Sequence, residues 1–341
     1  MKKFKRIAAF AASAVMAAGL FAACGSGTNP TTAGTQATTA ASGKTFTVGV
    51  VQLVQHEALD AATEGFQDKL IELLSADGYG YDITVQNASG DSANCATIAN
   101  SYVADGVDLI MANATAALIA ASQATADIPV LGTSVTNYAT AFGIDEWTGG
   151  MNVSGTSDLA PLADQAAMFK ELLPEAKTIG LLYCTAEANS AYQIEVITKE
   201  LEALGFTAVP YAFTDTNDVA TVTQNAVDNC DALYIPTDNT AASNTGVIDQ
   251  IARPAGVPII CGEEGICRGC GIATLSISYY NLGEATAQMA YDVLVGGKDI
   301  KTMDIQFDPN PVKEYNAEIC EELGITIPDS YVAIAAAESA E

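Results

Sequence analysis

From residue 46 onward, short aliphatic and β-branched runs alternate with longer segments whose apolar positions recur every three to four residues. Phe46–Leu53 (FTVGVVQL) predicts a strand. Glu57–Leu74 follows with Leu59, Ala62, Phe66, Leu70 and Leu73 at helical spacing. The rhythm continues through strand Tyr81–Gln86, helix Cys95–Val103, strand Asp108–Ala112, helix Ala116–Thr125 and strand Pro129–Gly132. The second half repeats it. Thr178–Cys184 predicts a strand and Ser190–Leu204 a helix. Thr207–Phe213 and Val219–Asp228 form the next pair, then Ala232–Pro236 and Ala241–Ala252, and Val257–Cys261 closes the series as a strand. Strands alternating with helices imply parallel sheets covered on both faces.

The two halves echo each other. Asp108 opens an apolar strand with a polar tip, Asn113-Ala-Thr115, followed by a small-residue helix and Ile128-Pro-Val130. Asp231 opens a second such strand, with tip Thr237-Asp-Asn-Thr240, followed by a helix and Val257-Pro-Ile259. Two similar α/β lobes are the simplest account. In open parallel sheets ligands bind beyond the carboxyl ends of strands, so the polar tips are the candidate site and the space between lobes the candidate cleft.

The first 23 residues differ in kind. A basic start (Lys2, Lys3, Lys5, Arg6) precedes an apolar stretch from Ile7 to Ala23, too weak for a spanning helix, and the stretch ends on small residues before Cys24. Leu20-Phe-Ala-Ala-Cys24-Gly25 fits a bacterial lipoprotein processing site, although Phe21 stands where Leu is more usual. The Cys24 thiol would carry a diacylglyceryl group and the new amine a palmitate-type chain, enough for stable anchoring. Residues 25–44 contain almost no large apolar side chain and predict a flexible tether.

The charge is strongly acidic. Lys and Arg number 14 against 41 Asp and Glu, for a net charge of −27, and four of those cations lie in the leader. Such a surface disfavours nucleic acid. The single histidine, His56, argues against a His-rich metal site or an acyl-transfer triad, and no phosphate-binding loop, nucleophile elbow or dinucleotide fingerprint is present. No cofactor is expected.

Five ordered blocks carry a resemblance: Gln52-Leu-Val-Gln-His-Glu-Ala-Leu-Asp60, Asn152-Val-Ser-Gly-Thr-Ser-Asp158, Ile179-Gly-Leu-Leu-Tyr-Cys-Thr-Ala-Glu-Ala-Asn-Ser190, Tyr234-Ile-Pro-Thr-Asp-Asn-Thr240 and Tyr279-Tyr-Asn-Leu-Gly283. They resemble the ABC-transporter substrate-binding lipoproteins of the tryptophan/tyrosine-binding type, from about Phe46 to Pro328. The resemblance implies a type I periplasmic binding protein: two Rossmann-like α/β lobes with parallel sheets, a ligand cleft between them and three chain crossings. These are placed near Gly155, Ser276 and Met303. The N-terminal lobe is then 45–155 with 277–303, the C-terminal lobe 156–276 with 304–330, and 331–341 a tail. It also implies a membrane-anchored, extracytoplasmic, non-enzymatic and monomeric receptor. Such a receptor captures an aromatic or branched apolar amino acid and passes it to a permease served by a separate ATPase subunit.

A zwitterion needs an acceptor for its ammonium, donors for its carboxylate and an apolar wall. Asp238 is the natural ammonium partner, or else a helix cap; Asn239 lies beside it. Asn189 is a cap or a contact, and Glu187 an ammonium partner or a structural acid. Thr115 and Ser134 suit a carboxylate, together with the helix amides after Thr115. Gln52 ends the first strand and is a further polar candidate. Tyr138, Tyr183 and Tyr280 are candidate stacking partners; Asn137-Tyr138 stands where the family commonly has Asp-Pro. His56 is expected to serve as a local hydrogen-bond partner, and Trp147 to report closure.

Besides Cys24 there are seven cysteines, an odd number, so some thiols are expected to be free. Cys267-Arg-Gly-Cys270, with Cys261 upstream, admits a redox pair, a partial zinc site, a local disulfide or plain loop thiols. A thiol redox protein is one alternative function. A carbohydrate or nucleoside receptor on the same fold and a sensory ectodomain are the others.

Overall fold

A computed structural model describes residues 43–335. The leader, Cys24 and the tether lie outside the described residues. The elements run β1 (Thr45–Gln52), α1 (Glu57–Ala76), β2 (Gly80–Asn87), α2 (Ser92–Asp105), β3 (Leu109–Asn113), α3 (Thr115–Ala124), β4 (Val130–Thr133), α4 (Tyr138–Phe142) and β5 (Val153–Ser157). Next come α5 (Leu162–Leu172), β6 (Thr178–Cys184), α6 (Ala188–Ala203), β7 (Thr207–Phe213), α7 (Val219–Val227), β8 (Ala232–Ile235), α8 (Asn239–Ala242), α9 (Thr245–Ala255), β9 (Ile259–Cys261), α10 (Glu264–Cys270) and β10 (Ala273–Ser276). The chain ends with α11 (Tyr279–Leu294), β11 (Gln306–Phe307), β12 (Val312–Tyr315), α12 (Ala317–Leu323) and β13 (Val332–Ala333).

Two sheets result, in the orders β11-β5-β4-β3-β1-β2 and β13-β12-β10-β9-β8-β6-β7. Every pairing is parallel except β10 with β12. The period-two alternation of a strand explains the layers. In β1, Phe46, Val48 and Val50 face the core under α1 and α11, while Val51 faces the core under α2 and α3. In β6, Ile179 and Leu181 join the α5–α6 core; Leu182 and Cys184 join the α7–α9 core. Both faces are apolar because both are covered.

The sequence echo has a structural cause. Asp108 Oδ2 accepts hydrogen bonds from Thr47 N at 2.8 Å and Thr47 Oγ1 at 3.0 Å, pinning the start of β1. Asp231 Oδ2 accepts from Lys177 N and Thr178 N, both at 2.8 Å, pinning the start of β6. Each lobe uses an aspartate before one strand to fix the register of its neighbour.

The chain passes between the sheets after β5, after β10 and after β11. Because β11 pairs with β5 through Gln306 and Phe307, the third passage lies at 308–311, later than the position near Met303 read from the sequence. The helix expected over Ala241–Ala252 is two helices: Asp238 caps the short α8, and the chain breaks at Ser243-Asn244 before α9. Cys267 and Cys270 lie inside α10, not in a loop, because Glu263 caps a helix there with both carboxylate oxygens. Among the described residues no helix is long and apolar enough to cross a membrane.

Candidate functional site

The carboxyl ends of β4, β8 and β9 face one another, with the first and second passages beside them. Between the lobes they enclose a small polar cavity of about 10 Å³, walled by His56, Leu59, Ser134, Asp158, Asn189, Thr237, Asp238, Asn239, Ala242, Glu263 and Tyr279. The lobes touch across it: His56 Nε2 lies 3.1 Å from Asn239 Oδ1, and Thr136 Oγ1 lies 3.4 Å from Thr237 Oγ1. Desolvation lowers the affinity of His56 for a proton, so it sits there as a neutral imidazole at physiological pH.

Three carboxyl groups border this cavity and no lysine or arginine does. Asp158 follows β5 at the first passage and is 4 % exposed. Its Oδ2 accepts a 3.0 Å hydrogen bond from the Tyr279 hydroxyl; the Thr136 side chain lies close enough to favour the carboxylate, but no donor meets the buried Oδ1 in hydrogen-bond geometry. Burial pushes its pKa up to about 6. Asp238 is buried at the tip of β8. Its Oδ1 accepts from Ala241 N at 2.8 Å, capping α8, and its Oδ2 from Cys184 N at 2.6 Å. Burial first, then the Glu187 charge, push it up to about 7. Glu263 accepts from Gly265 N and Ile266 N at 2.6 Å each, and burial pushes it up to about 7. Buried carboxyls without a counter-ion are costly when ionised. A cationic group entering the cavity would remove that cost, and the orphaned Asp158 Oδ1 is the acceptor open to it.

Neutral donors stand on the lobe 1 side. Ser134 sits in the left-handed region (φ 55°) with its buried Oγ unpartnered. Ala114 also has positive φ (91°), and it leads into α3, whose first amides have no side-chain cap. Non-glycine residues held there are strained, and such strain collects at ligand sites. Thr115 opens α3 with its buried Oγ1 unpartnered. It borders a second interlobe groove of about 380 Å³ with an apolar wall of Leu53, Ala93, Ala96, Ala116, Ile119 and Ala120. Asn189 borders both the groove and the polar cavity.

Residues 47–339 match the family of ABC transporter substrate binding proteins. The chain is an ABC transporter substrate-binding protein. It is 35 % identical over 263 residues to a tyrosine-binding protein of Clostridioides difficile (strain R20291), covering 75 % of this chain and 76 % of that one. Among solved structures it is similar to the ABC domain in complex with L-Trp from Streptococcus pneumonia (TM-score 0.80, 32 % identity, 85 % of this chain and 100 % of that chain). It is also similar to the ligand-free, open structure of a substrate-binding protein with adhesive properties from Clostridium difficile (TM-score 0.64, 32 % identity, 85 % and 99 %). At equal identity and coverage, this substrate-binding protein matches the L-Trp complex better than the open form. The fold is the type I periplasmic binding protein architecture.

The site residues named from the sequence divide. Ser134, Asn189, Asp238 and Asn239 border the polar cavity of this substrate-binding protein, and Thr115 borders the adjoining groove. Gln52 does not: its amide donates to Val54 O and Asp60 Oδ1 and accepts from Thr63 Oγ1, so it is spent inside lobe 1. Tyr183 is also displaced. The strand period puts it with Ile179 and Leu181 on the face packed by α5 and α6. Tyr280 lies on the outer side of α11, hydrogen-bonded to Asp68. Its neighbour Tyr279 is the ring that reaches the cavity. The Tyr138 hydroxyl donates to Thr156 O at 3.0 Å, with Gly132 O also within reach at 3.1 Å, and the ring packs against Trp147 in a separate open concavity. Glu187 is structural: its two oxygens accept from Asn189, Asn239 and Thr240, tying α6 to α8.

Asp158, Glu263 and Tyr279 were missed as cavity residues. Asp158 and Tyr279 flank the first two chain passages, and both of these passages border the cavity; that signal was present in the Ser157-Asp158 and Tyr279-Tyr280 blocks. Glu263 carried no such signal, because the helix it caps was itself not foreseen.

The seven cysteines among the described residues are buried and unpaired. Burial pushes the Cys261 and Cys267 thiols up, opposite to the depressed pKa of a reactive thiolate. No described group of three His, Cys, Asp or Glu residues is arranged to hold a metal ion.

The raised carboxyls of Asp158, Asp238 and Glu263 set a pH signature. Each binds its proton more tightly folded than unfolded. Stability is therefore greatest near the unfolded carboxylate range and falls as pH rises through about 6 to 7. On the scale of about 1.4 kcal/mol per pKa unit, the three groups together are expected to make the empty protein up to roughly 6 kcal/mol more stable at pH 5 than at pH 7.5. Urea unfolding across that range checks it. A flat or rising profile contradicts the assignment of these groups as buried and uncompensated.

Proposed function

We propose that this substrate-binding protein captures an amino acid with an aromatic or branched apolar side chain and delivers it, without catalysis, to an ABC permease. The observation that carries the reading is the orphaned buried oxygen of Asp158 in an interlobe cavity bordered by three carboxyls and no cation. The ligand's ammonium satisfies Asp158, with Asp238 contributing field. Its carboxylate takes the hydroxyls of Ser134 and Thr115 and the uncapped amides of α3. Its side chain lies along the Leu53–Ala96–Ile119 wall. The tyrosine-binding relative and the L-Trp complex support this choice over sugars or nucleosides, which bring no ammonium. Binding is expected to favour closure through contacts that exist only when both lobes are near.

In this reading residues 1–23 direct export, Cys24 carries the lipid anchor, and the receptor works as a monomer outside the cytoplasmic membrane.

The deciding experiment is a thermal-shift and calorimetric screen of the purified protein against the amino acids, sugars and nucleosides. A ligand at 100 times its Kd adds about 2.7 kcal/mol. Stabilisation by tryptophan, tyrosine, phenylalanine or a branched aliphatic amino acid is expected. Stabilisation by sugars alone overturns the substrate class. In the same preparation, Cys24→Ala is expected to abolish acylation, read by intact mass.

A further inference from the structure

The mouth of the cavity carries a feature that ligand contact does not explain. The carboxylate of Glu57, the first residue of α1, is paired with the guanidinium of Arg268 in α10. Among the described residues this is the one ion pair that joins the two lobes; the others lie within a lobe. The pair crosses a crevice of about 450 Å³ that shares His56, Ala242 and Glu263 with the polar cavity, so it stands at the way in. Arg268 is the single cation lining that crevice. Around it are acids: Glu57 from lobe 1, and Glu263, Glu264 and Glu314 from lobe 2. Glu264 is its partner one turn back on α10. Glu314 feels its field: Arg268 lowers the pKa that burial and Glu264 raise.

Closure of an acidic protein brings like charges together. Here it would carry Glu57 toward Glu263 and Glu264, and Arg268 converts that repulsion into attraction. The Arg268 side chain is about three-quarters buried while that of Glu57 is nearly half exposed, so salt screens the pair in part. The likeness to the L-Trp complex over the open relative places the pair in the closed arrangement.

We propose that Glu57 and Arg268 form an electrostatic latch across the mouth of the ligand cavity. It positions α1 against α10 in the closed state and sets how long a captured solute is held. Arg268 is a positioning residue; it lies outside the cavity wall. This assigns a role to the Cys267-Arg-Gly-Cys270 segment that its thiols do not explain. The solute arm of the test rests on the amino-acid reading; the distance arm does not.

In the first arm, Arg268→Gln and Glu57→Gln are each expected to raise the koff of L-tryptophan or L-tyrosine about 10- to 100-fold, with kon changed less than about threefold. The wild-type koff is expected to rise with ionic strength, and that slope to flatten in both variants. The double reversal Glu57→Arg/Arg268→Glu is expected to recover part of the loss. In the second arm, labels at the exposed, opposite-lobe positions Glu72→Cys and Glu195→Cys report the interlobe distance without ligand. Arg268→Gln is expected to deplete the short-distance population, while the urea midpoint of the unliganded protein stays near wild type. Wild-type koff, salt slope and distance distribution in Arg268→Gln would overturn the latch. Failure of either amino acid to bind the unsubstituted protein would overturn the solute reading instead, and the distance arm would still decide the latch.

Discussion

Asp158→Asn is expected to weaken amino-acid binding by roughly 2–5 kcal/mol, about 30-fold to several thousand-fold in Kd, while leaving the free protein folded and no less stable at neutral pH. The argument begins with geometry. Asn keeps the shape of Asp, and its carbonyl oxygen can still accept from the Tyr279 hydroxyl. The orphaned Oδ1 is replaced by an NH2 that points donors at the ligand's ammonium. The bound cation then loses its one unspent carboxylate. For the empty protein the sign reverses: a buried acid held near pKa 6 is paid for in folding free energy at pH 7, and the amide carries no such cost. Asp238→Asn would not separate the two effects, because it also disturbs the α8 cap and the Cys184 amide. Calorimetric titration beside urea unfolding checks the prediction. Near wild-type Kd in a folded Asp158→Asn protein contradicts the ammonium assignment.

Gly283→Val carries the largest expected stability loss, at or beyond the upper end of the roughly 1–3 kcal/mol typical of overpacking. Helices α1 and α11 cross at two glycines. A Cβ at Gly283 would stand 2.1 Å from the backbone carbonyl oxygen of Ala62, and one at Gly65 would stand 2.2 Å from that of Tyr280. The obstacle is backbone on both sides, so no side chain can swing aside. The helices must separate, and they cover the sheet face formed by Phe46, Val48 and Val50. Tyr279, at the start of α11, would shift with them, so ligand affinity is expected to fall as well. Gly246→Ala is the matched control: nothing lies within 4 Å of that position in α9, and the change is expected to stabilise by about 0.5–1 kcal/mol. Denaturant midpoints of the two variants check both signs.

Neither prediction is legible from composition, and the reason separates what the chain states locally from what folding assembles. The alternation in β1 and β6, the aspartates that pin neighbouring strands, and the polar tips at Thr115, Ser134 and Asp238 are local or periodic facts. Backbone geometry translates each of them directly into a lobe, a sheet and a strand end. Those signals sufficed for two parallel sheets with a cleft at their carboxyl ends. They also sufficed for the family, because its five blocks are ordered along the chain.

What they left open were matters of side-chain direction and long-range pairing. Whether Tyr279 or Tyr280 faces the cavity depends on the rotation of α11, which the close approach of Gly283 to Ala62 fixes. Whether Gln52 is free depends on Thr63 and Asp60 reaching it from α1. That Tyr183 turns toward α5 and α6 follows from a strand period whose starting face only the assembled core sets. Asp158, Glu263 and Arg268 become a carboxyl-lined cavity and a closing latch only when distant segments meet. The free energy of a buried charge depends on every group within a few ångströms of it. The sequence alone therefore determined the lobes and the strand ends; the tertiary structure decided which acids were left without a partner.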